Sequence, residues 1–277
     1  MTTRTRRWVV GGAAVFVSIF VFLVPFAFIF SMALKDRKEA SLREFSWPST
    51  GFHLWDNVVA VVQTRNYMLV TAFMNSVILT VAAVVLLVVF GAMVGYVVQR
   101  RPSGWTPIVN FMVLAGLIIP PAVVPTIWVM QSIGLFKTLH GMTLIEVAYG
   151  LSFTVLLFRA FVATIPRELD EAAIMDGAGP VRLFFQVILP LLKPVVVTVV
   201  VVQSVAIFND FTFPLYYLPG NENVTVQLTL YNFQSQFSTQ YNLLFTNILL
   251  ITIPPLIMFL FFNRQIVAGM TAGAVKG

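Results

Sequence analysis

The chain has no cysteine and only two histidines among its 277 residues. Without thiols it can form neither a disulfide nor a thiolate metal site. His53 and His140 stand isolated, without metal-ligand spacing, so no metal site is expected. Charge is nearly as scarce. Asp, Glu, Lys and Arg fill 10% of positions, whereas soluble domains carry about a quarter. No stretch matches G-x-x-x-x-G-K-[ST], which excludes a phosphate-cradling loop of that kind. No nucleophile–base pair emerges either. The chain is therefore expected to bind no cofactor and to be no enzyme by itself.

What is present is apolar: 58% of residues are hydrophobic and the mean hydropathy is +0.90. These residues come in blocks, whereas a large soluble core would spread them over amphipathic elements. The runs cover 8–34, 73–98, 107–133, 142–162, 195–213 and 243–262. Each is long enough to cross roughly 30 Å of hydrocarbon as a helix. The expected fold class is an all-α membrane protein with six transmembrane helices. The first run follows Arg4, Arg6 and Arg7 as a signal peptide would. It exceeds the length of such an apolar region and no small-x-small site closes it, so it is expected to remain as a span.

Orientation follows from the basic residues. With the N-terminus inside, eleven of the 17 Lys and Arg fall on inner segments and six on outer ones. Lys35, Arg37, Lys38 and Arg43 oppose this assignment but are mixed with Asp36, Glu39 and Glu44. The expectation is N-in and C-in, and the net charge of +6 reads as a topology signal with no nucleic-acid binding. The layout is a first span with an outer loop (1–72), a transmembrane core (73–265) holding a polar loop at 164–194, and an inner tail (266–277).

That polar loop contains "RELDEAAIMDGAG", residues 167–179. Pro166 precedes a short helix over 167–175, and Glu168, Asp170 and Glu171 gather near its positive end. Leu169, Ala172 and Ala173 fall on one face. Gly177 occupies the position after the helix where only glycine turns left-handed without cost. Gly179-Pro180 opens a second helix, whose Val181, Phe184, Phe185 and Ile188 repeat the apolar spacing, and Pro190 and Pro194 end it. The two alanines leave room for a partner's backbone to approach.

Glu171-Ala172-Ala173, then Gly177, then Val187-Ile188-Leu189-Pro190 resembles the EAA motif of permease subunits in bacterial ABC importers. "MNSVILTVAAVV", "GYVVQRR", "IIPPAVVPTIWVMQSIGLFKTLHG", "FNDFTFPLYYL" and the ending "IVAGMTAGAVKG" extend the likeness over most of the chain from residue 73. The branch most resembled is the smaller permease of maltose-type and multiple-sugar importers. Val187 fills an isoleucine slot of the motif, and 1–72 matches only loosely.

The resemblance implies an ABC importer type I permease fold in the bacterial inner membrane, with cytoplasmic EAA coupling helices. The implied partners are a second, different permease, an ABC ATPase dimer that holds ATP and Mg, and an extracytoplasmic solute-binding protein. The implied coupling residues are Glu171, Ala172, Ala173, Asp176, Gly177, Phe184, Leu189 and Pro190. Closure of the ATPases would draw these helices inward and reorient the pore, with Glu171 facing a basic side chain. The tail 266–277 either runs along the ATPases, as the resemblance implies, or frays.

Charges inside the runs are few. Glu146 and Asp210 lie toward outer ends and Arg159 toward an inner one, which suits a neutral solute better than ion coupling. Pro120 and Pro121, with Pro125, break the third run, either as pathway-lining backbone or as a kink in a packing helix. Asn209 and Asp210 join Pro120 and Pro121 as candidate pathway residues. The outer stretch 214–241 is rich in aromatic and amide side chains, and Tyr216, Tyr217, Tyr231 and Gln234 are candidates for docking the binding protein. Direct sugar contact is the other reading of the same residues. The rival functions are a permease for another neutral solute, such as a glycerophosphodiester, and a secondary carrier acting alone. The latter predicts an inverted repeat, and none is evident.

Overall fold

A computed structural model describes residues 3–234 and 240–274, with side chains described for 11–231 and 240–262. Among the described residues every regular element is helical. The chain begins with α1 (Thr3–Leu34), α2 (Arg37–Ser41) and α3 (Leu54–Arg100). It continues through α4 (Thr106–Ile118), α5 (Val123–Ser132), α6 (Leu139–Val162) and α7 (Glu168–Met175). Next come α8 (Pro180–Arg182), a π-helical turn (Leu183–Ile188), α9 (Leu189–Leu191) and α10 (Lys193–Phe208). The last elements are α11 (Thr212–Tyr217), α12 (Val226–Gln234) and α13 (Tyr241–Ala274).

Four helices hold a stretch long and apolar enough to span a bilayer: Gly11–Leu34, Leu54–Arg100, Leu139–Val162 and Tyr241–Phe262. Counting each of two bent pairs as one span gives six. α4 and α5 meet at 115°, and Pro180–Leu191 meets α10 at 75°. The first break has a simple cause. Pro120 and Pro121 provide no N–H to continue α4, and each pushes its predecessor out of the helical region. The fifth run ends sooner than its hydrophobicity suggested, at Phe208, and α11 restarts the chain after Asn209 and Asp210. Residues 54–72, expected as loop, are largely helical. α3 turns left-handed at Arg65, Asn66 and Tyr67, with φ of 51°, 56° and 60°. No glycine marks that turn.

The helices form two compact units: Met1–Val70 with Thr229–Ile253, and Thr71–Leu228 with Pro254–Gly277. In the first, Asn57 donates to the carbonyls of Ala33 and Lys35, each at 2.9 Å, and accepts from Asn242 at 2.7 Å. Phe28 and Phe245 meet edge to face at 5.5 Å. Lys35 is buried, its Nζ donating at 2.8 Å to the Glu44 carbonyl and to Ser46 Oγ. Farther along α1 the apolar residues from Val15 to Leu23 are exposed all round, the pattern of a helix facing lipid.

In the second unit α6 is the spine. Gly95 of α3 lies so close to it that a Cβ there would meet Phe158 Cβ at 2.8 Å, the small-residue contact that lets membrane helices approach. Polar bonds join the same helices. Arg159 donates to Gln99 at 3.2 Å and to Asn110 at 2.7 Å, and Gln203 donates to Thr154 Oγ1 at 3.0 Å. The expected inner cation is thus neutrally satisfied within the bundle. Phe158, Ile165, Leu183, Ile188, Leu192 and Val199 form the apolar core.

Candidate functional site

Two neighbourhoods of the second unit carry the polar chemistry. The first is the 164–194 loop. α7 has three acids in its opening turn, Glu168, Asp170 and Glu171, where the helix dipole favours negative charge. Its end is built as expected. Gly177 has φ +79°, its N–H bonds the Ile174 carbonyl at 2.9 Å, and the Ala178 N–H bonds the Ala173 carbonyl at 2.9 Å. This is the paired reverse bond of a Schellman stop.

One face of α7 is fastened to the bundle. Asp170 accepts from the Tyr96 hydroxyl at 2.7 Å and pairs with Arg100 Nε at 3.4 Å, while Arg100 also donates to the Ile165 carbonyl. Tyr96 and Arg100 lie at the end of α3, so a carboxylate on the loop is tied directly to a spanning helix. Beneath it Phe184 sits 5.7 Å from the Tyr96 ring. The other face is open: Leu169, Glu171, Ala172, Ile174 and Met175 are exposed, as are Asp176 and Gly177.

The expected apolar face is therefore divided. Ala173 and Phe184, placed among partner-facing residues, are only 9% and 6% exposed and pack inside this chain. They hold the loop in place and leave only their neighbours open on its surface. Phe185 and Val181 are exposed, Leu189 is half-buried and Pro190 is exposed. The second helix is also not a plain α-helix. Its middle widens into a π turn, where the Leu189 N–H reaches back to the Phe184 carbonyl and Pro190 offers no N–H to follow.

The second neighbourhood is a cavity of about 530 Å³ along α6, α10 and the start of α11. Asn209 and Asp210, two of the candidate pathway residues, line it; Pro120 and Pro121 do not, and lie exposed at the α4–α5 break. Asp210 Oδ1 accepts from the Thr212 N–H at 2.8 Å and Oδ2 from the Phe213 N–H at 3.3 Å, which starts α11. Asn209 Oδ1 accepts from Gln227 at 3.2 Å. Tyr149 and Phe213 stack at 4.6 Å on the wall. Glu146 also lines the cavity, is 6% exposed, and has one carboxylate oxygen with no hydrogen-bond partner among the described residues. Sequence reasoning placed Glu146 near a helix end and missed its role as a wall residue. The signal was there: Glu146, Tyr149, Gly150 and Phe153 recur at helical spacing on one face of α6.

Of the docking candidates, Tyr216 and Tyr231 are exposed. Tyr217 is 1% exposed, and its carbonyl accepts from the Lys137 N–H at 3.1 Å, so it belongs to the fold and not to a docking surface. Gln234 and the tail side chains of 266–277 lie outside the described residues.

Broken spans, helices joined by small residues, and a fastened polar loop describe a membrane transport subunit. The family described as "binding-protein-dependent transport system inner membrane component" matches residues 87–272, and the chain belongs to it: a multi-pass inner-membrane permease. It is 32% identical over 262 residues to the trehalose transport system permease protein of Mycobacterium tuberculosis, covering 92% of this chain and 93% of that one. It is 29% identical over 257 residues to the melibiose/raffinose/stachyose import permease protein of Bacillus subtilis, covering 92% and 91%. The diacetylchitobiose uptake system permease protein of Streptomyces coelicolor matches at 29% over 261 residues, 92% of this chain and 85% of that one. Among solved structures, a chain of a bacterial ABC transporter involved in the import of the acidic polysaccharide alginate superposes with a TM-score of 0.81 at 19% identity, covering 96% of this chain and 99% of that chain. A second alginate transporter structure, in complex with a pentasaccharide-bound periplasmic protein, gives 0.67 at 15% identity, covering 94% of each.

Proposed function

We propose that this permease is one of two different membrane subunits of an ATP-driven importer of oligosaccharides. A periplasmic or surface binding protein delivers the sugar, and a separate ATPase dimer, carrying ATP and Mg, drives the cycle. The sugar assignment is supported by relatives named for trehalose, raffinose and diacetylchitobiose. The observation that carries the mechanism is the two-faced α7, clasped by Asp170 on one side and exposed through Glu171 and Ala172 on the other.

On this reading the N-terminus and the 164–194 loop are cytoplasmic, and the open face of α7 seats in a cleft of the ATPase. Glu171 pairs there with a basic side chain, and Ala172 allows close backbone approach. Movement of the seat passes through Asp170 to the end of α3, and through Phe184 and Ile188 into the core below. Helix ends locked together in this way move as a rigid body, which is what alternating access requires. The chain contributes no catalytic group; hydrolysis belongs to the partner.

The test is co-purification of the chain with its neighbouring permease, ATPase and binding protein, followed by a screen of sugars for stimulated ATPase activity and uptake in proteoliposomes. Stimulation by at least one oligosaccharide, dependent on all four components, is expected. Uptake by this chain alone, or full activity as a homodimer, overturns the reading.

A further inference from the structure

The stretch between α1 and α3 is rich in charge and hydroxyls, yet its aromatic side chains stand outward. Phe45, Trp47 and Phe52 are 61%, 69% and 66% exposed. Trp47 and Phe52 meet edge to face at 5.8 Å, so the exposure is a connected surface and not a set of scattered residues. Exposed apolar surface of that kind marks a place that something covers.

The course of the chain shows where this surface lies. After α2 it turns left-handed at Arg43, with φ of 56°, and runs back down the side of α1. At the turn Arg43 lies 5.4 Å over the ring of Tyr241, where the apolar stretch Tyr241–Phe262 begins. Below it the Ser31 hydroxyl donates to the Ser46 carbonyl at 2.7 Å, and Phe45 meets the Phe28 ring at 6.0 Å. Phe28 lies six residues before the end of α1 at Leu34, about 9 Å down its axis. The chain then returns to His53, whose N–H closes on the Leu34 carbonyl at 2.8 Å. Residues 43–52 are thus a hook laid against the last turns of α1.

The depth of the hook selects what covers it. Gly11–Leu34 has 24 residues, about 36 Å of helix against roughly 30 Å of hydrocarbon. A centred α1 leaves about two residues at each end among the headgroups. Ser31 and the hook's backbone then stand at the boundary, and the level of Phe28 lies within the acyl chains. Phe26 and Phe30 are exposed to the same layer. A protein arriving from water would have to displace lipid to reach Phe45. The hook's backbone also suits a dry boundary, because the Glu44 and Ser46 carbonyls accept from Lys35 Nζ and Ser31 Oγ and leave little need for water. Charge contributes little: Lys35, Arg37, Lys38 and Arg43 stand against Asp36, Glu39 and Glu44.

We propose that this hook is an interfacial anchor, in which Phe45, Trp47 and Phe52 insert into lipid at the end of α1 opposite the N-terminus and fix the depth of that helix. Aromatic side chains are favoured in this layer, where an apolar ring can sit beside hydrated headgroups. On the N-in topology it is the outer leaflet. The anchor goes beyond the importer reading and does not depend on which solute is carried.

The chain has no cysteine, so Phe45→Cys, Trp47→Cys and Phe52→Cys each give a single attachment point on it for a nitroxide. The assembled importer is placed in phosphatidylcholine vesicles. Paramagnetic resonance then compares access of oxygen, which concentrates in acyl chains, with access of a water-soluble nickel chelate. Wild-type importer treated alike supplies the background from partner subunits. Oxygen should dominate at all three positions and the chelate at Lys38→Cys on exposed α2, a reversal in sign of the logarithm of their ratio. Replacing part of the lipid by phosphatidylglycerol should leave the ratio unchanged, and insertion that needs the anionic lipid overturns an apolar anchor. Dominant chelate access at the three positions places the hook in water and overturns the proposal. Access to neither reagent overturns it too, since another subunit then covers the hook. Oxygen access lost only when the binding protein is added assigns the surface to docking instead. The substitutions replace exposed side chains, and where one variant fails to assemble the other two decide.

Discussion

Asp170 and Glu146 are both buried carboxyls in the same unit, and their surroundings are opposite. Asp170 is met by a phenol and a guanidinium brought from α3. Glu146 faces a second acid, Asp210, on the wall of the cavity that both line. A carboxyl whose bonds are made within the chain fastens one part to another. One that faces a second acid ties no two parts together by charge. The residue type is nearly the same, and the difference lies in which partners the fold supplies.

The largest expected effect comes from breaking the fastened acid. Asp170→Ala strands Arg100 in a buried position, which costs about 3–5 kcal/mol, and should sharply lower the thermal stability and membrane yield of the permease. Tyr96→Phe removes only the hydroxyl and should cost about 1–3 kcal/mol by leaving a carboxylate oxygen unpaired. Thermal unfolding in detergent orders the two. A stability of Asp170→Ala equal to wild type would dissolve the contrast with Glu146.

Next is the stop after α7. Nothing lies within 4 Å of a Cβ added at Gly177, so a substitution there strains only the backbone. Gly177→Val should cost about 1–2 kcal/mol and lower occupancy of the docked loop by roughly tenfold. Sugar uptake should fall while membrane insertion stays intact, and Glu171→Lys should act on the same step through charge. Pull-down of the ATPase with uptake in proteoliposomes decides. Wild-type values for both variants would mean that α7 is not the handle.

Glu146→Leu should act on stability in the reverse sense to Asp170→Ala. Removing a buried carboxyl that meets only a second acid should leave the melting temperature unchanged or raised. A fall in stability as large as that of Asp170→Ala would place Glu146 among the fasteners.

The smallest effect concerns a third acid, outside the spans. Glu39 accepts from the Ser49 hydroxyl and amide, each at 2.7 Å, and these bonds hold its carboxyl below the 4.5 of an ordinary glutamate. A lowered folded value stabilises fully above the ordinary one and is lost as pH falls through the lowered one. The stability difference between wild type and Glu39→Gln should therefore be constant near neutral pH and shrink as pH falls through the ordinary 4.5 toward the lowered value. A difference that grows on acidification would contradict the assignment. Being exposed, this pair carries little weight beside the two buried acids.

The local features were legible in the sequence. The six apolar runs, the proline break of the third and the left-handed Gly177 each depend on a few adjacent residues with strong preferences. The pairings were not. Tyr96 and Asp170 lie 74 positions apart, and no pattern within either segment announces the other. Tyr217 reads as a docking aromatic because burial depends on what packs over it. The left-handed turn at Arg65–Tyr67 lacks the glycine by which such turns are recognised. Asn209 and Asp210 were picked out as polar residues near a span end, whereas the cavity also needed Gln203 from the preceding α10 and Glu146 from the facing α6.

The π turn at Leu183–Ile188 bears on how such a subunit can change over evolutionary time. A π turn holds a surplus residue relative to the α-helix around it. Deleting one residue elsewhere in a helix rotates everything downstream by about 100° and draws it back about 1.5 Å. Deleting one here can be absorbed by letting the turn relax to α-helix, with Pro190 and α10 kept in phase. A one-residue deletion within 183–188 should therefore lower the melting temperature less than one within α10, with the direction of the chain into the membrane preserved.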